Sequence, residues 1–402
     1  MSEKIISGTF ATSEYLRTQH VKFNSAGIIT EVGKSLGIPD FAFDKNHLIF
    51  SGFVDVHVHA REDISGQSNH KETFLSASRA ALNGGVIAIA DMPNNAMPPI
   101  NDDLYKNKEN LAKTAEIPIL LYAGISPNSS PLSRNVPYKL YMGQSVGDLF
   151  FRSEEQMEKT LSHFRGCSIS FHCEDFEILR QHQNEDSHEK RRPKTAETRA
   201  IRFAINLTKK FDLNTTICHL STAEGLRLCN EAKKSGLNVA VEVSPHHLFF
   251  DLESISEKQK KLLQVNPPIR NNEDRISLLK GLISGGIDYL ATDHAPHLLR
   301  EKESGISGIP HLDTYGLFVA YLIKKQGVNP KIIARVCSEN PGLFFNRFCK
   351  IPLGKIQPGY AAKFTVLDFA QSTTVEKSMI RSKCGWSPFE SITFPARVSV
   401  IN

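Results

Sequence analysis

The sequence predicts an α/β protein, a (β/α)8 TIM barrel accompanied by a small composite β domain built from both chain ends. Three observations point there. From Gly52 onward, short apolar runs alternate with helical patterns, giving eight strand candidates. Both ends of the chain instead carry short β-type runs broken by turn signals. Histidines, a lysine and a carboxylate recur at the ends of the predicted barrel strands, which such a barrel gathers at one mouth. The expected division is 1–51 with 350–402 for the β domain and 52–349 for the barrel.

In chain order, residues 5–10, 20–23 and 27–32 read as half-buried strands of the end domain. The first barrel strand is 53–58, after the apolar run Leu48-Ile49-Phe50. Residues 86–90, 118–122, 138–141, 168–171, 215–218, 239–243 and 287–291 supply the other seven. Between them, 71–83 predicts an Ala- and Leu-rich helix stopped at Gly84-Gly85. Residues 153–164 open on Ser153-Glu154-Glu155, whose acidic side chains suit a helix N-terminus. The stretches 195–210, 222–234 and 273–283 have the same helical character, and each strand is expected to be followed by such a crossover. Residues 363–367 and 396–401 return to short strands. No internal repeat suggests a solenoid.

At 402 residues, 40% hydrophobic and 23% charged, the chain has an ordinary globular composition. No apolar run is long enough to cross a membrane, and Met1-Ser2-Glu3-Lys4 lacks a signal-peptide apolar core. The net charge of +5 is modest, and Lys190-Arg191-Arg192-Pro193-Lys194 is interspersed with acids and lacks aromatic neighbours. Neither a nucleic acid nor a membrane is therefore expected as partner. Seven scattered cysteines without a Cys-x-x-Cys pair fit reduced thiols and a cytoplasmic location.

His57-Val58-His59 is the centre of the reading. Strand side chains alternate with period two, so both imidazoles point the same way and can reach one cation. Alone the pair is weak evidence against a satisfied polar patch. Its company is stronger: Asp91-Met92-Pro93-Asn94, His172-Cys173-Glu174-Asp175, Cys218-His219, Pro245-His246-His247 and Thr292-Asp293-His294-Ala295-Pro296-His297 all follow predicted strands. Imidazole and carboxylate donors suit Zn2+ or a similar cation. Lys139, inside an apolar strand among such cations, makes no sense as an ammonium. It makes sense as a carbamate whose two oxygens bridge two metals; taken alone, a rim salt bridge would be the blander reading.

Together with Asn266-Pro267-Pro268 and Lys139-Leu140-Tyr141, these motifs resemble the amidohydrolase superfamily and, within its cyclic amidase branch, the dihydroorotases. The likeness runs in order from Gly52 to Leu343. It implies that His57, His59 and Asp293 bind one metal, His172 and His219 the other, and carboxylated Lys139 bridges them. It implies that Arg61, Asn94 and His297 hold a substrate carboxylate, with Asn266 in the same pocket, and that Asp293 also shuttles the proton. The activity so implied is reversible cyclisation of N-carbamoyl-L-aspartate to L-dihydroorotate in pyrimidine biosynthesis, with two divalent ions, Zn2+ foremost. A homodimer is expected, with aspartate transcarbamoylase as a candidate partner.

Two other readings stay open. Hydantoinase- or allantoinase-like amidases share the ligands but lack the Arg61 and Met92-Pro93-Asn94 that suit a free carboxylate. A silent scaffold subunit would be expected to have lost ligands, and here all are present. The loops 62–71 and 298–313 depart from the dihydroorotase wording, which bears on selectivity. His70, His246, His247, His294 and His311 are expected to support rather than react.

Overall fold

A computed structural model describes residues 3–143 and 149–401. The two chain ends share one sheet. Lys4–Ala11 pairs antiparallel with Leu16–Phe23 along their whole length, and Ile29–Gly33 adds beyond it. On the other side come His47–Ser51, then Phe364–Asp368, then Arg397–Ile401. Alternation along these strands buries Ile6, Phe10, Val21, Ile49, Phe364 and Val366 in one apolar layer. Phe10 meets Phe364 edge-on at 5.9 Å, joining the first strand of the chain to Phe364–Asp368.

His47–Ser51 runs through Gly52 straight into the first barrel strand, Phe53–Val58. Only glycine fits that step, because a Cβ there would lie 2.4 Å from Ile87 Cγ1. The following barrel strands are Val86–Asp91, Ile119–Leu121 continuing as Ala123–Gly124, Tyr138–Tyr141, Ser168–His172, Asn214–Ile217, Val239–Val243 and Tyr289–Leu290. All pair in parallel with their neighbours. The third strand breaks at Tyr122, whose N–H reaches the Asp91 carbonyl at 3.0 Å. The ring closes where Val58 pairs with His294 and the His59 N–H donates to the His294 carbonyl at 2.8 Å.

Several crossover helices follow the expected bounds and carry the expected caps. Phe74–Asn83 starts later than 71 because Thr73 is its N-cap, accepting from the Ser76 N–H; Lys71 and Glu72 stay outside. Gly84 ends it at a close approach, since a Cβ there would meet the Leu312 carbonyl oxygen at 1.8 Å. Glu154–Leu161, Ala223–Lys234 and Asn272–Ser284 are capped by Ser153, Thr222 and Asn271. Lys194–Phe211 is the longest and ends at Asp212 in a left-handed conformation.

One expectation fails. Residues 125–137, between the third and fourth strands, form no helix. Pro127, Pro131 and Pro137 each remove an N–H and clash with a preceding turn, so the segment crosses as an irregular loop. The eighth strand is shorter than 287–291, because the Asp288 carboxylate accepts the Val241 N–H at 2.7 Å in place of a backbone partner. No helix among the described residues is long and apolar enough to cross a membrane.

Candidate metal centre

The first strand delivers His57 and His59 to the mouth with ring centroids 5.2 Å apart. Buried Asp55, two residues earlier, accepts from the backbone N–H of His57 and of Thr292, tying the first strand to the eighth. Asp293 is thereby brought to both imidazoles: its Oδ1 lies 3.1 Å from His59 Nε2 and 3.3 Å from His57 Nε2. One donor atom from each of these three residues lies within 4.8 Å of the others.

The far side of each ring decides its tautomer. His57 Nδ1 is 2.8 Å from Glu242 Oε1, and His59 Nδ1 is 2.7 Å from Asn94 Oδ1. An oxygen that only accepts holds a proton on Nδ1, which leaves Nε2 of each ring as the nitrogen turned toward Asp293 and the one a metal would take. Burial weighs against charge on His57, yet Glu242 and Asp293 outweigh it and lift the imidazole to about 10. Burial would also raise Asp293, but His57, His59 and His219 hold it well below the ordinary carboxylate range. The carboxylates make this side of the mouth attractive to positive charge.

His172 ends the fifth strand and His219 follows the sixth. His172 Nε2 donates to Glu174 Oε2 at 2.8 Å, and the Arg192 guanidinium holds that carboxylate through Nε at 2.9 Å. His172 Nδ1 then meets His219 Nε2 at 3.0 Å. Two imidazole nitrogens meeting in a buried place need a proton or a cation between them, and burial holds both rings below their ordinary range. Fully buried Lys139 ends 2.9 Å from Cys218 Sγ, where its charge adds to burial in opposing protonation of His57, His172 and His219. It sits among both sets of histidines. Cys218 with His57 and Glu242 is a further group of donor atoms within the same reach.

Three non-glycine residues here have left-handed backbones: Arg61 at φ 63°, His219 at 34° and Asp293 at 48°. Such conformations persist where surroundings over-determine them, commonly at functional sites. Arg61 is turned inward by it, and its Nη2 lies 3.0 Å from His297 Nε2. Lys71 Nζ approaches the other nitrogen of His297 at 3.2 Å. Burial first, then Arg61 and Lys71, keep His297 neutral by pushing its protonation far down. Glu301 pairs with Lys71 at 3.0 Å, which leaves the Arg61 guanidinium beside the neutral ring as the positive group of this end of the pocket, a setting for an anion.

One pocket takes in His57, His59, Arg61, Asn94, His172, His219, Asn266, Asp293 and His297, with Tyr141, Ala295 and Ile306–308 completing the lining. Every residue the sequence singled out lines it except Lys139, which is buried beneath. The Arg61 Nε, Tyr141 hydroxyl and Asn266 Oδ1 are buried there without partners among the described residues. Unpaired buried polar atoms are costly, and these are available to a polar ligand.

The sequence reading gave no role to Glu242, to Glu174 within its motif or to 306–308 within the loop 298–313. Glu242 had a signal, a charge within the apolar strand Val239–Val243, but nothing local named its partner. The other histidines have structural contacts: His247 Nε2 to the Pro267 carbonyl at 3.1 Å, and His294 Nδ1 accepting from the His311 N–H at 3.0 Å. His246 Nδ1 pairs with His311 Nε2 at 3.1 Å, and His70 lies 3.6 Å from Glu301 at the surface.

Residues 48–386 match the model of the amidohydrolase family. The chain is 32% identical over 348 residues to a dihydroorotase of Pyrococcus furiosus, covering 86% of this chain and 78% of that one. It is 33% identical over 363 residues to a dihydroorotase of Listeria monocytogenes, covering 85% and 83%. A Thermococcus kodakarensis dihydroorotase is 31% identical over 404 residues, covering 99% and 92%. Among solved structures, the L-hydantoinase of Arthrobacter aurescens superposes with a TM-score of 0.88 at 23% identity, covering 99% of this chain and 94% of that one. The dihydropyrimidinase of Brevibacillus agri gives 0.83 at 21%, covering 99% and 93%. At those identities the structural likeness speaks for the barrel with its accessory sheet, not for a substrate.

Proposed function

The chain belongs to the amidohydrolase family, and on that premise we propose that it acts as a dihydroorotase, interconverting N-carbamoyl-L-aspartate and L-dihydroorotate. The observation that carries the substrate choice is the positive end of the pocket. Arg61 and Lys71, the latter paired with Glu301, flank neutral His297 there. A planar guanidinium suits a carboxylate, and both substrates keep one that plain hydantoin lacks. Asn94, whose oxygen accepts from His59 Nδ1, retains its amide nitrogen as a neutral donor, and Asn266 offers a further polar group.

The family is metal-dependent, and the donor set fits two divalent cations. His57, His59 and Asp293 would hold one and His172 and His219 the other, with Lys139 as a carbamate between them; Zn2+ suits these donors best. Bound there, the cations would supply Lewis-acid polarisation of the amide carbonyl and acidify a water. Asp293, kept ionised by its histidine neighbours, accepts the proton of the attacking water and returns it to the leaving ring nitrogen. Glu242, Asn94 and Glu174 keep the histidines in their working tautomers throughout. Ring closure runs the same proton path backwards. We further assign residues 1–51 and 350–402 to one accessory β domain and 52–349 to the catalytic barrel. We place the enzyme in the cytoplasm as a homodimer, with aspartate transcarbamoylase as a candidate partner.

The test is a paired assay on metal-analysed protein: dihydroorotate hydrolysis and N-carbamoyl-aspartate cyclisation, with hydantoin and allantoin as controls. Turnover of the carboxylate-bearing pair alone is expected. Preference for hydantoin would replace the reading with a general cyclic amidase, and inertness toward all four would make the protein a scaffold.

A further inference from the structure

Lys302 is almost wholly buried, at 2% exposure, at the end of the short helix Leu299–Glu303. Among the described residues no carboxylate pairs with it. Its ammonium instead reaches three backbone carbonyls: Gln264 at 2.9 Å, Ile306 at 2.7 Å and Gly308 at 2.9 Å. An ammonium has three donors, so all three are taken.

Those carbonyls belong to two separate walls of the pocket. Gln264 lies two residues before Asn266, while Ile306 and Gly308 flank Ser307 in the segment that lies against Ala295 and His297. The two walls are also bound directly: the Gly308 N–H donates to the Gln264 carbonyl at 2.9 Å, and Gln264 Nε2 reaches Ser307 Oγ at 3.3 Å. Gly308 itself has φ +126°, and a Cβ on it would lie 2.9 Å from His297 Cδ2. The wall is therefore pressed against the ring that the proposed function uses to hold a carboxylate. A carbonyl turned in toward Lys302 also fixes its peptide plane, so the Ser307 N–H points the opposite way.

The Ile306 and Gly308 carbonyls turn inward and need a donor, and an apolar side chain at 302 would take that donor from them and from Gln264. A charge in that place is costly. Burial, and after it Arg61, lower the Lys302 ammonium to about 7. The other charged and titratable groups facing its surroundings are His297 on the pocket side and Lys258, Lys261 and Glu303 in the groove behind.

We propose that Lys302 is a positioning residue of the substrate pocket, acting through the 264–266 and 306–308 walls to set the grip on the ligand beside His297. The proposal rests on the substrate reading above, and its test separates the two. On the metal-loaded full chain, hydrogen–deuterium exchange of residues 303–309 is compared among wild type, Lys302→Gln and Lys302→Met, alongside metal content, kcat and KM for dihydroorotate. Lys302→Met should exchange at least tenfold faster in 303–309 and raise KM at least tenfold, with kcat within threefold and metal content unchanged. Lys302→Gln keeps two N–H donors and should fall between; it also serves if the Met variant does not fold. Unchanged exchange in both variants overturns the proposal, as does faster exchange with unchanged KM. Faster exchange at 303–309 in a protein inert to dihydroorotate would leave the wall assignment standing and remove the substrate reading instead.

Discussion

The strand ends and the loops around them build opposite halves of one pocket by different means. On the strand side, Lys139 and His172 are paired in register with neighbouring strands, while His57 sits where the first strand's register shifts and His59 follows it, held by its N–H to the His294 carbonyl. On the loop side, position comes from side chains that hold backbone. Lys302 gathers three carbonyls, Glu62 accepts the Phe74 N–H at 2.7 Å, and Asp63 accepts the N–H groups of Ser65 and Met97. The first half is a consequence of periodicity. The second is a set of individual hydrogen bonds, so single substitutions should alter binding there without touching the metal centre.

The comparison breaks most sharply at Lys139. Lys139→Ala removes the buried strand lysine whose charge bears on His57, His172 and His219, and turnover should fall below detection with loss of bound metal. Small carboxylic acids should restore part of the activity. A fully active, metal-replete variant would sink the bridging role. Arg61→Met tests the other half: metal content should stay at the wild-type level while KM rises. Losing a hydrogen bond to a charged group costs about 1.5–3 kcal/mol, on the order of tenfold to a hundredfold. Depletion of metal in that variant would mean that the two halves are not separable.

Glu242→Gln asks how far the strand half depends on its outer partners. The amide can still accept from His57 Nδ1, but it no longer opposes a positive charge on the other side. Outer partners of ligand histidines are typically worth about 10–100-fold in metal affinity or activity. Titration with a competing chelator should show a loss of that size, and wild-type affinity would reduce Glu242 to a structural role.

This contrast also explains what was legible in the sequence. Period-two alternation disclosed His57 and His59, and an apolar context disclosed Lys139. The partner of Glu242 lies on the first strand, 185 residues away, a distance no local pattern spans. The missing third crossover helix was readable from Pro127, Pro131 and Pro137, but the count of eight repeats argued the other way. The chain end was harder still. Residues 350–402 read as sheet, yet Trp386 leaves that sheet and donates its Nε1–H to the His297 carbonyl at 2.7 Å. Turn-rich sequence carries no period, so nothing local said where it would dock.

The smallest effect concerns Lys302 and is a matter of linkage. Its folded value of about 7 lies below the ordinary lysine value of 10.5. Between those two pH values the unfolded chain binds the extra proton, so this group makes stability rise with pH there. The penalty for burying the ammonium is fully present below about 7 and is lifted as pH approaches 10.5. The slope from one proton reaches at most about 1.4 kcal/mol per pH unit. Lys302→Met removes the donor to these carbonyls at every pH, so its absolute stability is a poor guide. Its pH dependence is the useful quantity: the gap between wild type and variant should widen in favour of wild type from pH 6.5 to pH 9, measured by denaturant unfolding with metal held constant. Parallel curves would mean that the lysine keeps its proton across that range. The carbonyl cage would then compensate the buried charge in full, making the loop half as firmly built as the strand half.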